Sequence, residues 1–317
     1  MRVVFWGSPE FAVAVLEALL ASAHQVAGVV TRPPEPGGRG RRPRATPVAR
    51  LAESAGLPTL TPEHLRGEAV RAELVALEAD VFLVAAYGAI LPPDVLSLPP
   101  HGSLNVHASL LPEYRGAAPV TRAILDGKRE TGVTIMRMEQ GLDTGAICLQ
   151  AVEPMIADDT AETLTRRLAA LGGRAVVEAL DRLAAGALIE TPQDDARATY
   201  AAKVTTAEAR IDWSLPAGAI ERAARAFDPW PGAWTTFRGD RLKVFRVGSP
   251  DGAVLAGGRE IDGRGRPGEI VSADPAPIVR TGDGRVGLDL VQPPGGRRMT
   301  GAQWARGRGV EPGETLG

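Results

Sequence analysis

Asn105 and His107 stand two residues apart at the end of a short apolar run, inside the stretch GSLNVHASLLPEYRGAAP. Alternate residues of a strand point to the same face, so an amide and an imidazole would leave this strand side by side. Such a pair can move a proton and stabilise an oxyanion. A lone histidine at a strand end can equally serve only to hydrogen-bond its neighbours. The carboxylate with a place in the same chemistry is Asp143, between two glycines in EQGLDTG. By itself Asp143 reads as a turn residue, because aspartate favours turns for local reasons. Brought beside His107, it would favour the charged imidazole and fix its tautomer. The residues alone leave both readings of each side chain open.

These groups need strand ends to stand on. Residues 2–6 form an apolar run followed by Gly7, Ser8, Pro9 and Glu10, where Ser8 is expected to cap a helix running through Val13, Leu16, Leu19 and Leu20. Residues 26–31, 81–86, 104–106, 132–138 and 146–152 read as further strands. Helical stretches are expected from Pro47, from Thr61-Pro62 through residues 69–78, and from about Pro119. The fully apolar run at 81–86 suits a central strand covered on both faces. Strands alternating with helices predict an α/β fold: an open, Rossmann-like, mostly parallel sheet with helices on both faces. Ligands bind such sheets outside the carboxyl ends of the strands, which is where Tyr87, Asn105 and His107 fall. Gly7 stands alone, without a GxGxxG pattern, which disfavours a dinucleotide-binding enzyme.

A long amphipathic helix is expected to begin after Asp159 and end near Gly186. The pattern breaks between residues 189 and 206, read as a linker. Beyond it, Ser214 is expected to cap a helix reaching Ala226, and FDPWPGAW to form a buried aromatic corner. Short strands at 235–237, 242–247, 268–271, 278–280 and 286–290 then predict a small OB-like β-barrel. The expected division is therefore a catalytic domain at 1–188, a linker at 189–206 and a smaller C-terminal domain at 207–317.

Composition narrows the partners. A formal charge of −2, with 44 % hydrophobic and 23 % charged residues, is that of an ordinary globular chain without a global field. The distribution is less even. Residues 32–47 carry five arginines against one glutamate, and Arg297, Arg298, Arg306 and Arg308 crowd another stretch without an acid. Such patches suit a polyanion, or merely a solvated arginine-rich loop. With five prolines and three glycines, residues 32–47 read as a long irregular loop presenting Arg39, Arg41, Arg42 and Arg44. The single cysteine, Cys148, excludes an internal disulfide and a cysteine-based metal site, and the four histidines lack ligand spacing. No metal is expected. No leader pattern and no membrane-length apolar run is present, so a cytoplasmic protein, without a membrane partner, is expected. No self-association stripe stands out, and a monomer is expected.

Several segments carry a resemblance: FWGSPEFA, GGRGRRPRATPV, AAYGAILP, NVHASLLPEYRGAAP, GVTIMRMEQGLDTGAI and EARIDWS with RAFDPWPGAW. Together they resemble the methionyl-tRNA formyltransferases, within the enzymes that use 10-formyltetrahydrofolate. NVHASLLP and GLDTG alone would indicate only the wider family; the basic loop and the C-terminal segments narrow it. The resemblance implies that Asn105, His107 and Asp143 form the catalytic centre. It also implies that Ser109, Leu110, Leu111 and Pro112 contact the folate, with Tyr87 and Ile90 of AAYGAILP beside them. The basic loop would meet the acceptor arm of methionyl initiator tRNA through Arg39, with Arg41, Arg42 and Arg44 nearby. Where the family often has Lys-Lys, this chain has Arg41-Arg42, which keeps the charge but offers bidentate phosphate contacts. The expected function is formyl transfer to the α-amino group of methionyl initiator tRNA. Transfer to a small amine such as a nucleotide or amino sugar, hydrolysis of the formyl donor, and non-catalytic RNA binding are the alternatives. The small-amine enzymes would need neither the basic loop nor an RNA-binding barrel.

Overall fold

The computed structural model describes residues 1–37, 42–248 and 265–317. They form two compact units. The first comprises Met1–Pro119, Arg129–Met155 and Leu164–Ala202; the second comprises Val120–Lys128, Ile156–Thr163 and Lys203–Gly317.

The chain begins β1 (Arg2–Gly7), α1 (Glu10–Leu20), β2 (Gln25–Val30), β3 (Glu35–Gly37), β4 (Arg42–Arg44), α2 (Pro47–Ser54), β5 (Thr59–Leu60), α3 (Glu68–Ala76) and β6 (Val81–Ala85). It continues α4 (Pro93–Leu96), β7 (Ser103–His107), β8 (Arg115–Gly116), α5 (Pro119–Leu125), β9 (Glu130–Arg137), β10 (Ile147–Pro154), α6 (Ala161–Ala184) and β11 (Tyr200–Ala201). The main sheet of the first unit has the order β10-β9-β7-β6-β1-β2-β5. β5, β2, β1, β6 and β7 run parallel, as expected; β9 and β10 are antiparallel additions. The turn between β9 and β10 has no room for a helical crossover, so that pair can only reverse direction.

Every residue of β6 is buried, and all of β1 but its first. These central strands are covered on both faces, which is why they read as unbroken apolar runs. Trp6, Phe82 and Tyr87 meet in the core on one side, with Leu65, Val70 and Leu74 among their neighbours. On α6, a Cβ at Gly172 would come within 2.8 Å of Val106, and one at Gly173 within 2.7 Å of Ala18. Gly172 therefore lets this helix press onto β7 immediately before His107, and Gly173 lets it press onto α1.

Several local expectations change. Ser8 does not cap α1: Pro9 holds the N-cap position, and the Ser8 hydroxyl instead donates to the Tyr87 carbonyl and accepts from the Arg32 N–H, both at 3.2 Å. Thr46 does cap α2, accepting from the Ala49 N–H. The helix expected from Thr61-Pro62 starts only after Gly67, at Glu68. Within residues 32–47, β3 and β4 form an antiparallel hairpin with Pro36 opposite Pro43. A non-hydrogen-bonded pair asks for no N–H, so two prolines fit there.

In the second unit, α7 (Ala217–Ala226) precedes β12 (Ala233–Phe237), β13 (Asp240–Gly248), β14 (Ile270–Ser272), β15 (Ile278–Arg280), β16 (Arg285–Gln292), β17 (Met299–Thr300) and α8 (Gly301–Arg308). The strands form an antiparallel sheet, β12-β13-β16-β15-β14 with β17 on β16, an open, curled, OB-like half-barrel. α8 carries a complete capping box between Thr300 and Gln303 and stops at a left-handed Gly309. Ser214 does not cap α7; its hydroxyl is taken by Asp212. FDPWPGAW is a corner only in part: Phe227 is buried, whereas Trp230 is 61 % exposed. Of the second basic stretch, Arg298 is paired with Asp228 and Arg308 lies 3.7 Å from Asp240, while Arg297 and Arg306 are exposed.

Candidate active site

β7 and β6 run parallel in register, Val84 beside Asn105, so the carboxyl ends of β1, β6 and β7 share one edge of the sheet. Asn105 and His107 sit at that edge on alternate positions of β7. His107 is 6 % exposed. Its Nε2 lies 2.8 Å from the Tyr114 carbonyl oxygen. A carbonyl only accepts, so Nε2 carries the proton, and Nδ1 is the nitrogen free to gain or lose one. Nδ1 faces Asp143 Oδ2 at 3.6 Å.

Asp143 reaches this place from the turn between β9 and β10, with φ +53°. Aspartate tolerates the left-handed region better than most residues. A Cβ at Gly145 would fall 2.0 Å from the Arg137 carbonyl, so only glycine allows the turn to close against β9. Asp143 Oδ2 accepts from the Gly116 N–H at 2.9 Å. The side chain of Gln193 donates to the Asp143 and Gly145 carbonyls, at 2.9 and 2.8 Å. The structure thus brings His107 and Asp143 together. Asn105 is half-buried beside them, and its amide has no hydrogen-bond partner among the described residues.

The loop after β7 is built from within. The Ser109 hydroxyl donates to the Glu113 carbonyl at 2.6 Å. Thr134, directly across from His107 on β9, accepts from the Leu111 N–H and donates to the Ser109 carbonyl. Gln150 donates to the Leu111 carbonyl and to Thr134 Oγ1. Ser109, Leu111 and Pro112 are buried and Leu110 is half-buried. The peptide bond between Leu111 and Pro112 is cis. Tyr87 is 2 % exposed, its ring edge-on to Trp6 at 5.2 Å; Ile90, by contrast, is 86 % exposed. Burial raises the Tyr87 phenol's pKa, partly offset by Arg32, and its hydroxyl has no partner of good geometry among the described residues. Arg44 is exposed and Arg42 lies in β4; Arg39 and Arg41 fall outside the described residues. Among the described residues, no cluster of three or more acidic, histidine or cysteine side chains could hold a metal. Nor is any helix among them long and apolar enough to cross a membrane.

Four participants escaped sequence reading: the Tyr114 carbonyl, the Gly116 N–H, Thr134 and Gln193. Two are backbone groups, which carry no residue-type signal. Gln193 sits in the stretch read as a linker, yet residues around it are tied into the first unit. Thr191 bridges Ile147, and Tyr200 and Ala201 pair with Arg115 and Gly116.

Residues 1–180 match the family model "Formyl transferase", and residues 203–309 match "Formyl transferase, C-terminal domain". The chain is 49 % identical to the methionyl-tRNA formyltransferase of Roseiflexus castenholzii, covering 100 % of this chain and 99 % of that protein. It is 47 % identical to the methionyl-tRNA formyltransferase of Thiobacillus denitrificans, covering all of both chains. Among solved structures, an N-formyltransferase from Helicobacter canadensis, in complex with folinic acid and dTDP-3-aminofucose, has a TM-score of 0.66 at 19 % identity, covering 91 % of this chain and 98 % of that one. That likeness is one of fold. Two family models in tandem and full-length identity near one half decide the rest: the chain belongs to the formyltransferases and, within them, to the methionyl-tRNA formyltransferase family.

Proposed function

We propose that this enzyme moves the formyl group of 10-formyltetrahydrofolate onto the α-amino group of methionyl initiator tRNA, with Asn105, His107 and Asp143 around the reacting carbon. The observation that carries this reading is the approach of His107 Nδ1 to Asp143 Oδ2, with the other ring nitrogen already committed to Tyr114. Full-length identity to methionyl-tRNA formyltransferases supports the tRNA substrate. The folinic acid complex of a fold neighbour agrees with a folate donor.

The bound folate supplies an electrophilic formyl carbon on its N10. The Asn105 amide donates to the oxygen of that carbon as the amine adds and charge develops there. His107, protonated on Nδ1 for this step, adds positive charge beside the oxyanion. Asp143 Oδ2, steadied by the Gly116 N–H, faces that ring nitrogen. Oδ1 of Asp143 has no partner among the described residues and is available to take a proton from the attacking amine. As the bond to N10 breaks, His107 Nδ1 passes a proton to the leaving nitrogen, so the proton lost by the amine is balanced by the one N10 gains. The reaction as drawn uses no metal.

Ser109, Leu110, Leu111 and Pro112 form the wall against which the folate lies. Ile90 offers apolar surface that the core leaves uncovered, and Tyr87 supports the floor with its ring. Arg39, Arg41, Arg42 and Arg44 hold phosphates of the acceptor arm. Residues 1–188 carry the formyl-transfer centre, 189–206 join the domains, and 207–317 bind tRNA. The enzyme acts as a cytoplasmic monomer.

The test is formyl transfer from 10-formyltetrahydrofolate to purified methionyl initiator tRNA, beside free methionine and methionyl elongator tRNA. Rapid transfer to the initiator alone is expected. Folate turnover without formylated tRNA would instead indicate a hydrolase, and formylation of free small amines a different acceptor.

A further inference from the structure

Gln193 lies on an irregular segment, but its amide is almost fully engaged. Its Nε2 uses both N–H donors on the Asp143 and Gly145 carbonyls. Its Oε1 accepts from Nε and Nη2 of Arg115, at 3.0 and 2.9 Å. Arg115 Nη2 also reaches Asp195 Oδ1 at 2.7 Å. The two carbonyls flank the turn that carries Asp143 at φ +53°. A residue in that region stays there only when its surroundings over-determine it. Arg115, in turn, directly precedes Gly116, whose N–H holds the Asp143 carboxylate. One side chain therefore connects the backbone under Asp143 to the segment that grips its carboxylate.

We propose that Gln193 is a positioning residue for formyl transfer, setting the direction of Asp143 towards His107 through the Asp143 and Gly145 carbonyls and through Arg115. The proposal rests on Asp143 being the reacting carboxylate. Gln193 does not touch the reacting atoms. Its effect is therefore on the geometry of the turnover step, and little on binding of either substrate. A displacement of about 1 Å at such a centre costs on the order of 100-fold in rate.

The experiment compares the full-length parent with Gln193→Leu, Gln193→Glu, Asp143→Asn and the double variant Asp143→Asn/Gln193→Leu. It reads kcat, KM for methionyl-tRNA and for 10-formyltetrahydrofolate, and Tm. Gln193→Leu is expected to lower kcat about 10- to 100-fold, with both KM values within about threefold and Tm nearly unchanged. Gln193→Glu keeps the length and a partner for Arg115 but loses both donors, and is expected to lose kcat similarly. In the Asp143→Asn background, Gln193→Leu should cost nothing further, because the group it positions is already gone. The proposal is overturned if both Gln193 variants keep kcat within twofold, if their loss lies in KM or follows a fall in Tm, or if it adds fully to that of Asp143→Asn. Full turnover in Asp143→Asn alone would reject the catalytic reading itself, whatever Gln193 does, and the proposal with it.

Discussion

Tyr114 and Gly116, two residues apart, hold the two halves of the His107–Asp143 pair with opposite backbone groups. The Tyr114 carbonyl accepts from His107 Nε2, and the Gly116 N–H donates to Asp143 Oδ2. The short segment after the loop thus fixes both the tautomer of the imidazole and the direction of the carboxylate. Tyr114 itself has φ +60° and Gly116 φ +110°. The segment is kept in this form by pairing with residues 199–201: the Tyr114 N–H donates to the Thr199 hydroxyl, and the Arg115 N–H to its carbonyl.

Gly116→Ala tests that arrangement. A Cβ there would meet the Tyr200 ring at 2.7 Å and the Ala201 carbonyl at 2.9 Å, on a backbone that side chains rarely adopt. A loss of about 1–3 kcal/mol in stability is expected, with kcat down by about 10-fold or more as the N–H leaves Asp143. Denaturant unfolding and turnover at saturating substrates measure the two. Parental kcat in the folded variant would show that this N–H does not matter to the reaction.

Asn105→Ala removes a site amide with no hydrogen-bond partner among the described residues, so little cost in stability is expected. The kcat should fall about 100- to 1,000-fold, the usual effect of deleting one oxyanion donor, while affinity for methionyl-tRNA stays within about twofold. Single-turnover kinetics beside a filter-binding titration separates the two. A change in tRNA affinity with turnover intact would remove Asn105 from the chemistry.

Arg39→Ala addresses the basic segment. If Arg39 holds a phosphate, KM for methionyl-tRNA rises, kcat stays near the parental value, and the slope of log affinity against log salt falls by about 1. The parent should itself bind tRNA less tightly as salt increases. Salt-independent binding would take phosphate contact out of the account.

Cys148 is buried on β10, and burial pushes its thiol up to about 11 from an ordinary 9.0. At pH 8 the thiolate fraction is then about 100-fold below that of an ordinary thiol, so iodoacetamide should modify the native protein at least that much more slowly than the unfolded chain. Mass spectrometry over a time course gives the ratio. Rapid native alkylation would mean that the thiol is open to solvent. Above pH 9.0 the unfolded chain ionises this thiol before the folded one does, so its contribution to stability declines between 9.0 and about 11.

Much of this molecule was legible along the chain. Residues 81–86 read as a central strand because both faces of β6 are covered, which leaves no polar alternation to confuse the pattern. Asn105 and His107 share a strand end because a two-residue spacing in β7 puts them on one face, a purely local rule. The helix start at Pro47 and the turn in EQGLDTG were visible for the same reason. Ser8 misled because a hydroxyl before a helix has two uses, and the Tyr87 carbonyl that claims it comes from the distant segment after β6. Only the tertiary structure decided which ring nitrogen of His107 is free, that Asp143 arrives opposite it, and that Gln193 and Gly116 hold Asp143 there. Those relations join segments far apart in sequence and run largely through backbone carbonyls and N–H groups. Almost every residue carries a backbone N–H and carbonyl, so a sequence does not show which of them will meet; such contacts come into being only when the sheet, the turn and the strap at 191–201 are in place.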